Sequence, residues 1–306
     1  MTPRDRAPPM KIAITGASGF VGRTLQRTLR EAGHSVCTIG RAAAATDVAW
    51  DPGTGAIDAT RLRGIDAVIH LAGANIAQRW TERARREIRD SRVDTTALIA
   101  RTMADLDPRP RVLVSVSGVG IYGDCGDELV DETHAAGRGF LAEVAQAWEA
   151  AALPAREAGI RVVHPRLGVV LHRSGGALAK MLPAFSLGVG GPIGSGQQWM
   201  PWVALADLLR ALQFFVESPH TSGPYNLVGP EPVRNATFTR TLGQVLGRPA
   251  VIPLPAFAIR LLFGAMGAET LLGGQRASVT RLVDAGFSFR YPTIRTALEQ
   301  AMVATV

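Results

Sequence analysis

Cysteine, lysine and tyrosine are scarce in this sequence, and each scarcity removes a class of protein. Two cysteines, Cys37 and Cys125, in 306 residues make neither a disulfide framework nor a metal cluster, and fit a reducing cytoplasm. No metal ligand set is expected. Only two of the 33 basic residues are lysines, Lys11 and Lys180. The arginines are scattered, most of them near an acid or on a helix. The net charge of +7 therefore forms no concentrated stripe, and a nucleic-acid partner is not expected. No run of 18 uninterrupted apolar residues exists; the nearest, 249–268, is broken by Arg260, so no membrane partner is expected either. Residues 1–9 (MTPRDRAPP) lack the apolar centre of a signal peptide and read as a disordered tail ahead of Met10.

What is present is a run of alternating strand and helix patterns. Apolar runs at 11–15, 35–39, 67–71, 111–116 and 160–164 read as buried strands. Helical spacing covers 20–32, 80–106 and 140–158, with Thr81 as the N-cap of the second and Pro154 breaking the third. This alternation predicts an α/β fold, a Rossmann-like doubly wound parallel sheet with a small C-terminal substrate domain. The Rossmann part is placed at 10–228, with 172–202 contributing to the substrate pocket, and the small domain at 229–306.

The first strand runs into Thr15-Gly16-Ala17-Ser18-Gly19-Phe20-Val21-Gly22-Arg23, and a helix follows. Such a turn needs residues without Cβ, so that backbone N–H groups and a helix N-terminus approach a pyrophosphate closely. A glycine triplet alone is a weak signal; strand, turn, helix and second strand in this order are the confirming context. NAD-binding chains carry Asp or Glu at the end of the second strand, for the ribose 2′-hydroxyl. Here Gly40-Arg41 stands there, and the next acid is Asp47. Arg41, helped by Arg23, suits a 2′-phosphate, so NADP(H) is the expected cofactor.

Further segments carry a family resemblance: DAVIHLAG (66–73), RWTERARREIRDSRV (79–93), SVSGVGIYGD (115–124), PRLGVVL (165–171), GGPIGSGQQWMPWVALADL (190–208) and LGRPAVIPLPAFAIRLLFG (246–264). With the glycine turn they make the chain similar, nearly end to end, to extended short-chain dehydrogenases/reductases, and more narrowly to the epimerase-family subgroup with a DUF1731-type C-terminal domain. The resemblance implies a seven-stranded sheet. It implies that Leu71, Ala72 and Gly73 line the adenine-ribose side of the cofactor, and that Leu167, Gly168 and Val169 lie beside the nicotinamide carboxamide. It puts Ser115 with the cofactor and Ser117 at the superfamily's catalytic serine position. A homodimer through the helices at 80–106 and 140–158 is a further implication.

The superfamily's usual proton-transfer pair, Tyr-x-x-x-Lys, is missing. The three tyrosines are Tyr122, Tyr225 and Tyr291, and none has Lys four residues on. Phe140 and Val144 stand near the expected positions, and neither transfers a proton. Ser117 and Tyr122 are the substitute catalytic candidates, although nothing in the sequence depresses the pKa of Tyr122. Gly118-Val119 after Ser117 replaces the Asp-Glu pair of sugar-nucleotide dehydratases and argues against dehydration. The acidic loop of Asp124, Asp127, Glu128, Asp131 and Glu132 reads as solvated, and the arginines of 79–92 as a solvated face or oligomer contact. Two functions remain open. One is an NADP(H)-dependent oxidoreductase or epimerase acting on a small carbonyl or nucleotide-sugar-like substrate. The other is a non-catalytic NADP(H)-binding sensor or scaffold.

Overall fold

A computed structural model describes residues 8–41 and 43–303; most of the tail expected at 1–9 lies outside them. The chain opens with Lys11–Thr15 (β1), Phe20–Glu31 (α1), Ser35–Gly40 (β2), Val48–Asp51 (β3) and Ala56–Ile57 (β4). Next come Ala67–His70 (β5), Glu82–Asp105 (α2), Val112–Ser115 (β6), Ser117–Gly118 (β7), Leu129–Val130 (β8), Phe140–Ala150 (α3), Leu153–Glu157 (α4) and Arg161–Leu167 (β9). Then follow Val169–Leu171 (β10), Gly176–Ser186 (α5), Trp199–Met200 (β11), Trp202–Ala204 (β12), Leu205–Glu217 (α6) and Gly223–Leu227 (β13). The last part holds Val233–Arg234 (β14), Asn235–Leu246 (α7), Ala256–Gly267 (α8), Arg276–Ala277 (β15), Thr280–Asp284 (α9) and Ile294–Met302 (α10).

The central sheet runs β13-β9-β6-β5-β1-β2-β3-β4. Its strands are short continuous apolar runs because helices cover both faces, as parallel sheets require. Seven parallel strands match the expected number; β4 adds an antiparallel edge, and the two-residue β7 pairs with β9. The order reverses between β1 and β5, which leaves a crevice at their carboxyl ends. On one face α1 and α6 pack Leu25, Leu29, Leu208, Leu212 and Phe215 against the sheet. On the other, α2 and α4 supply Leu98, Ile99, Met103 and Ala155. Each large side chain fully withdrawn from water here contributes about 1.5–3 kcal/mol.

Local signals hold where they are strong. The Thr81 hydroxyl accepts from the Ala84 N–H and, as the expected N-cap, starts α2 at Glu82, two residues into the 80–106 pattern. Pro154 divides the third helix into α3 and α4, and sits in the first turn of α4, where its missing N–H costs nothing. A further core joins Leu178, Phe185 and Trp202 to Phe238, Leu242 and Leu298, so the 172–202 region packs with α7 and α10. Asp207, only 1% exposed, accepts from the backbone N–H groups of Arg290 (2.8 Å) and Tyr291 (2.9 Å) and pairs with Arg210 at 3.0 Å. That carboxylate ties α6 to the Arg290–Tyr291 backbone just ahead of α10.

Candidate functional site

The residues singled out in the sequence follow the carboxyl ends of five parallel neighbours. Gly16 to Arg23 follow β1, Arg41 follows β2, Leu71 to Gly73 follow β5, Ser115 and Ser117 end β6 and form β7, and Leu167 to Val169 close β9. One edge of the sheet thus gathers them all.

The glycine turn is built by close approach. Gly16 has φ +67°, and a Cβ there would lie 2.9 Å from the Leu71 carbonyl. A Cβ on Gly22 would lie 2.3 Å from the Gly16 oxygen, so α1 presses directly on the turn. The N-cap of α1 is Gly19, with no side-chain cap and no acid in the first turn. Its free N–H groups and dipole are left for an anion. Ser18, Gly19 and Arg23 are exposed at this end, while Phe20 and Val21 pack partly against the core. The Phe20 ring also lies under Gly175, whose added Cβ would approach it to 2.3 Å. Arg41 is exposed and makes no ion pair among the described residues. Asp47, the nearest acid in sequence, is taken: it accepts from the Thr38 N–H (2.7 Å) and hydroxyl (2.8 Å), which hold it below the usual carboxylate range.

β1 and β5 are tied by a relay that the sequence did not suggest. The N–H groups of Leu71 (3.1 Å) and Ala72 (3.2 Å) donate to the Thr15 hydroxyl, which meets His70 Nδ1 at 2.7 Å. His70 Nε2 meets the Thr95 hydroxyl at 3.1 Å, and that hydroxyl donates to the Ser91 carbonyl. The pattern assigns a neutral imidazole with its proton on Nε2. Burial, reinforced by the Arg92 charge, pushes His70 down to about 3.

Arg92 departs from the solvated reading of its helix. Its guanidinium is half-buried, stacks 5.1 Å from the Trp148 ring centroid, and donates to the carbonyls of Ala74 and Ile88 at 3.0 Å each. An added Cβ on Gly73 would lie 3.1 Å from it. Burial without a carboxylate partner lowers its pKa to about 10. A positive charge thus stands behind the β5 turn.

Ser115 and Ser117 are buried, and among the described residues the Ser115 hydroxyl has no hydrogen-bond partner and the Ser117 hydroxyl none other than the neighbouring Glu149 carboxylate. The Glu149 carboxylate stands beside Ser117, close enough for the hydroxyl to favour its charged form slightly. Glu149 belongs to a paired network. Arg166 grips it with two bonds of 2.8 and 2.9 Å and donates to the Tyr122 oxygen at 2.8 Å. Tyr122 donates to Asn226 at 2.8 Å, and the Asn226 N–H donates to Glu132 at 2.6 Å. Burial alone would raise Glu149, but the Arg166 bonds and charge outweigh it and hold the carboxyl below its ordinary value. Burial pushes Tyr122 up to about 12 despite Arg166. Its hydroxyl both donates and accepts within the protein. Of the acidic loop read as solvated, Glu132 alone is buried; Asp124, Asp127 and Glu128 are exposed, and Asp127 holds Arg234 and the Trp199 indole from the surface.

Phe140 and Val144 carry no proton-transfer group: Phe140 packs edge-on against Trp80 at 5.0 Å, and Val144 is buried. The N–H groups of Phe140 and Leu141 donate instead to the Glu269 carboxylate, at 3.2 and 3.1 Å. Leu167 to Val169 form a pinch, where an added Cβ on Gly168 would meet the Pro201 oxygen at 2.3 Å.

The strand order and the glycine turn define a Rossmann-type fold. Residues 12–228 match the NAD dependent epimerase/dehydratase family, and residues 254–301 match a domain of unknown function, DUF1731. The chain belongs to that epimerase family. It is 45% identical over 293 residues to the epimerase family protein Mb2239 of Mycobacterium bovis, covering 95% of this chain and 97% of that one. A crystal structure of human epimerase family protein SDR39U1 with NADPH superposes with a TM-score of 0.86 at 36% identity, covering 95% and 99% of the two chains. A nucleoside-diphosphate sugar epimerase structure from Corynebacterium glutamicum gives 0.80 at 33% identity, covering 96% of this chain and 58% of that one.

Proposed function

We propose that the protein is an NADP(H)-dependent oxidoreductase or epimerase acting on a small carbonyl or nucleotide-sugar-like substrate. The observation that carries this reading is the Ser117 hydroxyl: buried at the sheet edge that carries the glycine turn, beside the Glu149 carboxylate and with no other polar partner among the described residues. A buried hydroxyl facing a charged carboxylate keeps unused hydrogen-bonding capacity, and a substrate oxygen would take it up.

The residues present fit the cofactor. The uncapped, acid-free N-terminus of α1 would hold the pyrophosphate, with Gly16, Gly19 and Gly22 admitting it and Thr15, Ser18, Phe20 and Val21 completing the turn. Arg41 and Arg23 would meet the 2′-phosphate, and the NADPH in the human relative's structure agrees with that choice. Leu71, Ala72 and Gly73 would flank the adenosine ribose, and Ser115 and Leu167 to Val169 the nicotinamide. Bound there, the cofactor supplies or accepts hydride. Ser117 would hydrogen-bond the substrate oxygen, and Arg166 holds Glu149 charged beneath it. Tyr122, doubly bonded and high in pKa, shapes the wall.

Titration with NADPH and NADH, followed by nicotinamide fluorescence, tests the cofactor. Arg41→Ala is expected to weaken NADPH about ten-fold, leave NADH unchanged and erase the preference. Ser117→Ala is expected to keep cofactor affinity and lose turnover in a carbonyl and nucleotide-sugar screen. Should wild type bind NADPH and turn over nothing, the second reading, a cofactor-dependent sensor or scaffold, takes its place. The absence of a free phenol among Tyr122, Phe140 and Val144 favours that alternative.

A further inference from the structure

Charge and exposed apolar surface are segregated in this molecule. Stretches 173–206 and 232–268 contain six basic residues and no Asp or Glu, leaving 27 basic against 26 acidic residues elsewhere. Nearly all of the +7 therefore resides in two stretches. The same stretches carry eight of the twelve large apolar side chains exposed among the described residues, all from 187–189 and 251–262. They form one surface. The Ile252 N–H donates to the Gly190 carbonyl, and Leu254 exchanges backbone bonds with Pro192 and Gly194, so the loop after α5 lies along the segment entering α8. Helix α8 buries Ile259 inward and turns Phe257 and Leu261, 72% and 74% exposed, outward. Leu187 and Val251 extend this apolar face, at 79% and 75%. Arg240 and Arg248 line a cleft of about 290 Å³ beside Val251, and Arg260 rides on α8. None of these three arginines has an ion pair among the described residues.

We propose that this face docks onto the surface of an anionic phospholipid bilayer. Phe257, Leu261, Leu187 and Val251 enter the headgroup–acyl boundary, and Arg240, Arg248 and Arg260 meet lipid phosphates. Aliphatic side chains rimmed by cations without ion pairs, on stretches that carry no acid, are the pattern of an interfacial helix; the acid nearest the cleft, Glu299, is paired with Arg295. A second copy fits less well, because a twofold contact would set these cations against their own equivalents with no acid to pair them. Nucleic acid would use the cations but leave the leucines and valines without a role. No helix among the described residues is long and apolar enough to cross a membrane, so the contact is peripheral.

Sedimentation with vesicles of phosphatidylcholine, alone and with roughly one third phosphatidylserine, tests this. The wild type is expected to pellet with the anionic vesicles only, and less so in about 0.5 M NaCl. Phe257→Asp with Leu261→Asp is expected to abolish pelleting, and Arg240→Glu, Arg248→Glu and Arg260→Glu together to weaken it about a hundred-fold. Unchanged NADPH titration shows that the variants are folded; should either misfold, the lipid and salt dependence of the wild type decides. Failure to pellet with anionic vesicles, equal pelleting with neutral ones, or a wild-type dimer that Phe257→Asp with Leu261→Asp dissociates would each overturn the proposal.

Discussion

Two helices of this protein start in the same way and end up with opposite roles. Both α1 and α3 are entered through a glycine, Gly19 and Gly139, with no side-chain cap from the N-cap residue. At α3 the free N–H groups are filled by Glu269, brought from 128 and 129 residues away. At α1 no side chain among the described residues caps them, and the first turn holds no acid. A helix end that the fold closes with its own carboxylate is structure; one left open beside unpaired arginines is where the proposed function places the cofactor pyrophosphate.

The comparison can be broken most strongly at Gly22. Its Cβ would strike the turn backbone, so Gly22→Val should weaken NADPH binding more than about 100-fold by lifting α1 off the turn, as fluorescence titration would report. Acid should act next. The folded pKa of His70 is lowered to about 3, so its contribution to stability is complete above the ordinary value near 6.5 and is lost as pH falls from there toward 3. Denaturant melts should show about 2 kcal/mol lost between pH 6.5 and 5, above the range where carboxylates titrate. A flat profile there would mean that His70 is not held neutral. Arg23→Glu places an acid near the open end: NADPH should bind about ten-fold more weakly while the empty protein gains a few tenths of a kcal/mol. Opposite signs for binding and stability are the mark of a reserved helix end. The smallest effect is expected from Glu269→Ala, which reopens α3 at a cost of about 1 kcal/mol in thermal or denaturant melts and leaves the NADPH Kd unchanged. If cofactor affinity falls as far as in Arg23→Glu, the two ends are not distinct.

Legibility in the sequence followed range. The glycine turn, the Thr81 cap and the Pro154 break are encoded within a few residues, and each was readable because a local steric or hydrogen-bonding rule dictates it. The parallel order followed from alternation, whereas the two-residue β4 and β7 were too short to leave a period. What escaped was long-range. Thr15 and His70 are 55 residues apart, Arg166 and Tyr122 are 44 apart, and no spacing rule joins such pairs. Arg92 was hidden differently, as one arginine among six on a charged helix; packing on Trp148 and Gly73 sets it apart from exposed Arg83, Arg86 and Arg89, as stacking on Phe140 does Arg85. A faint signal did exist for Arg166, a cation inside the apolar strand VVHPRL, where burial demands a partner.

Asp207 has one more consequence, in the order of synthesis. Its carboxylate is enclosed within α6, yet two of its donors are the N–H groups of Arg290 and Tyr291. As the chain leaves the ribosome, every strand of the central sheet emerges some sixty residues before those donors do. Until they arrive, α6 carries an under-bonded charge facing the layer it must pack against. The nascent sheet therefore waits on the segment that brings Arg290, and a chain cut short before it is left with a flaw at its centre rather than a missing appendage.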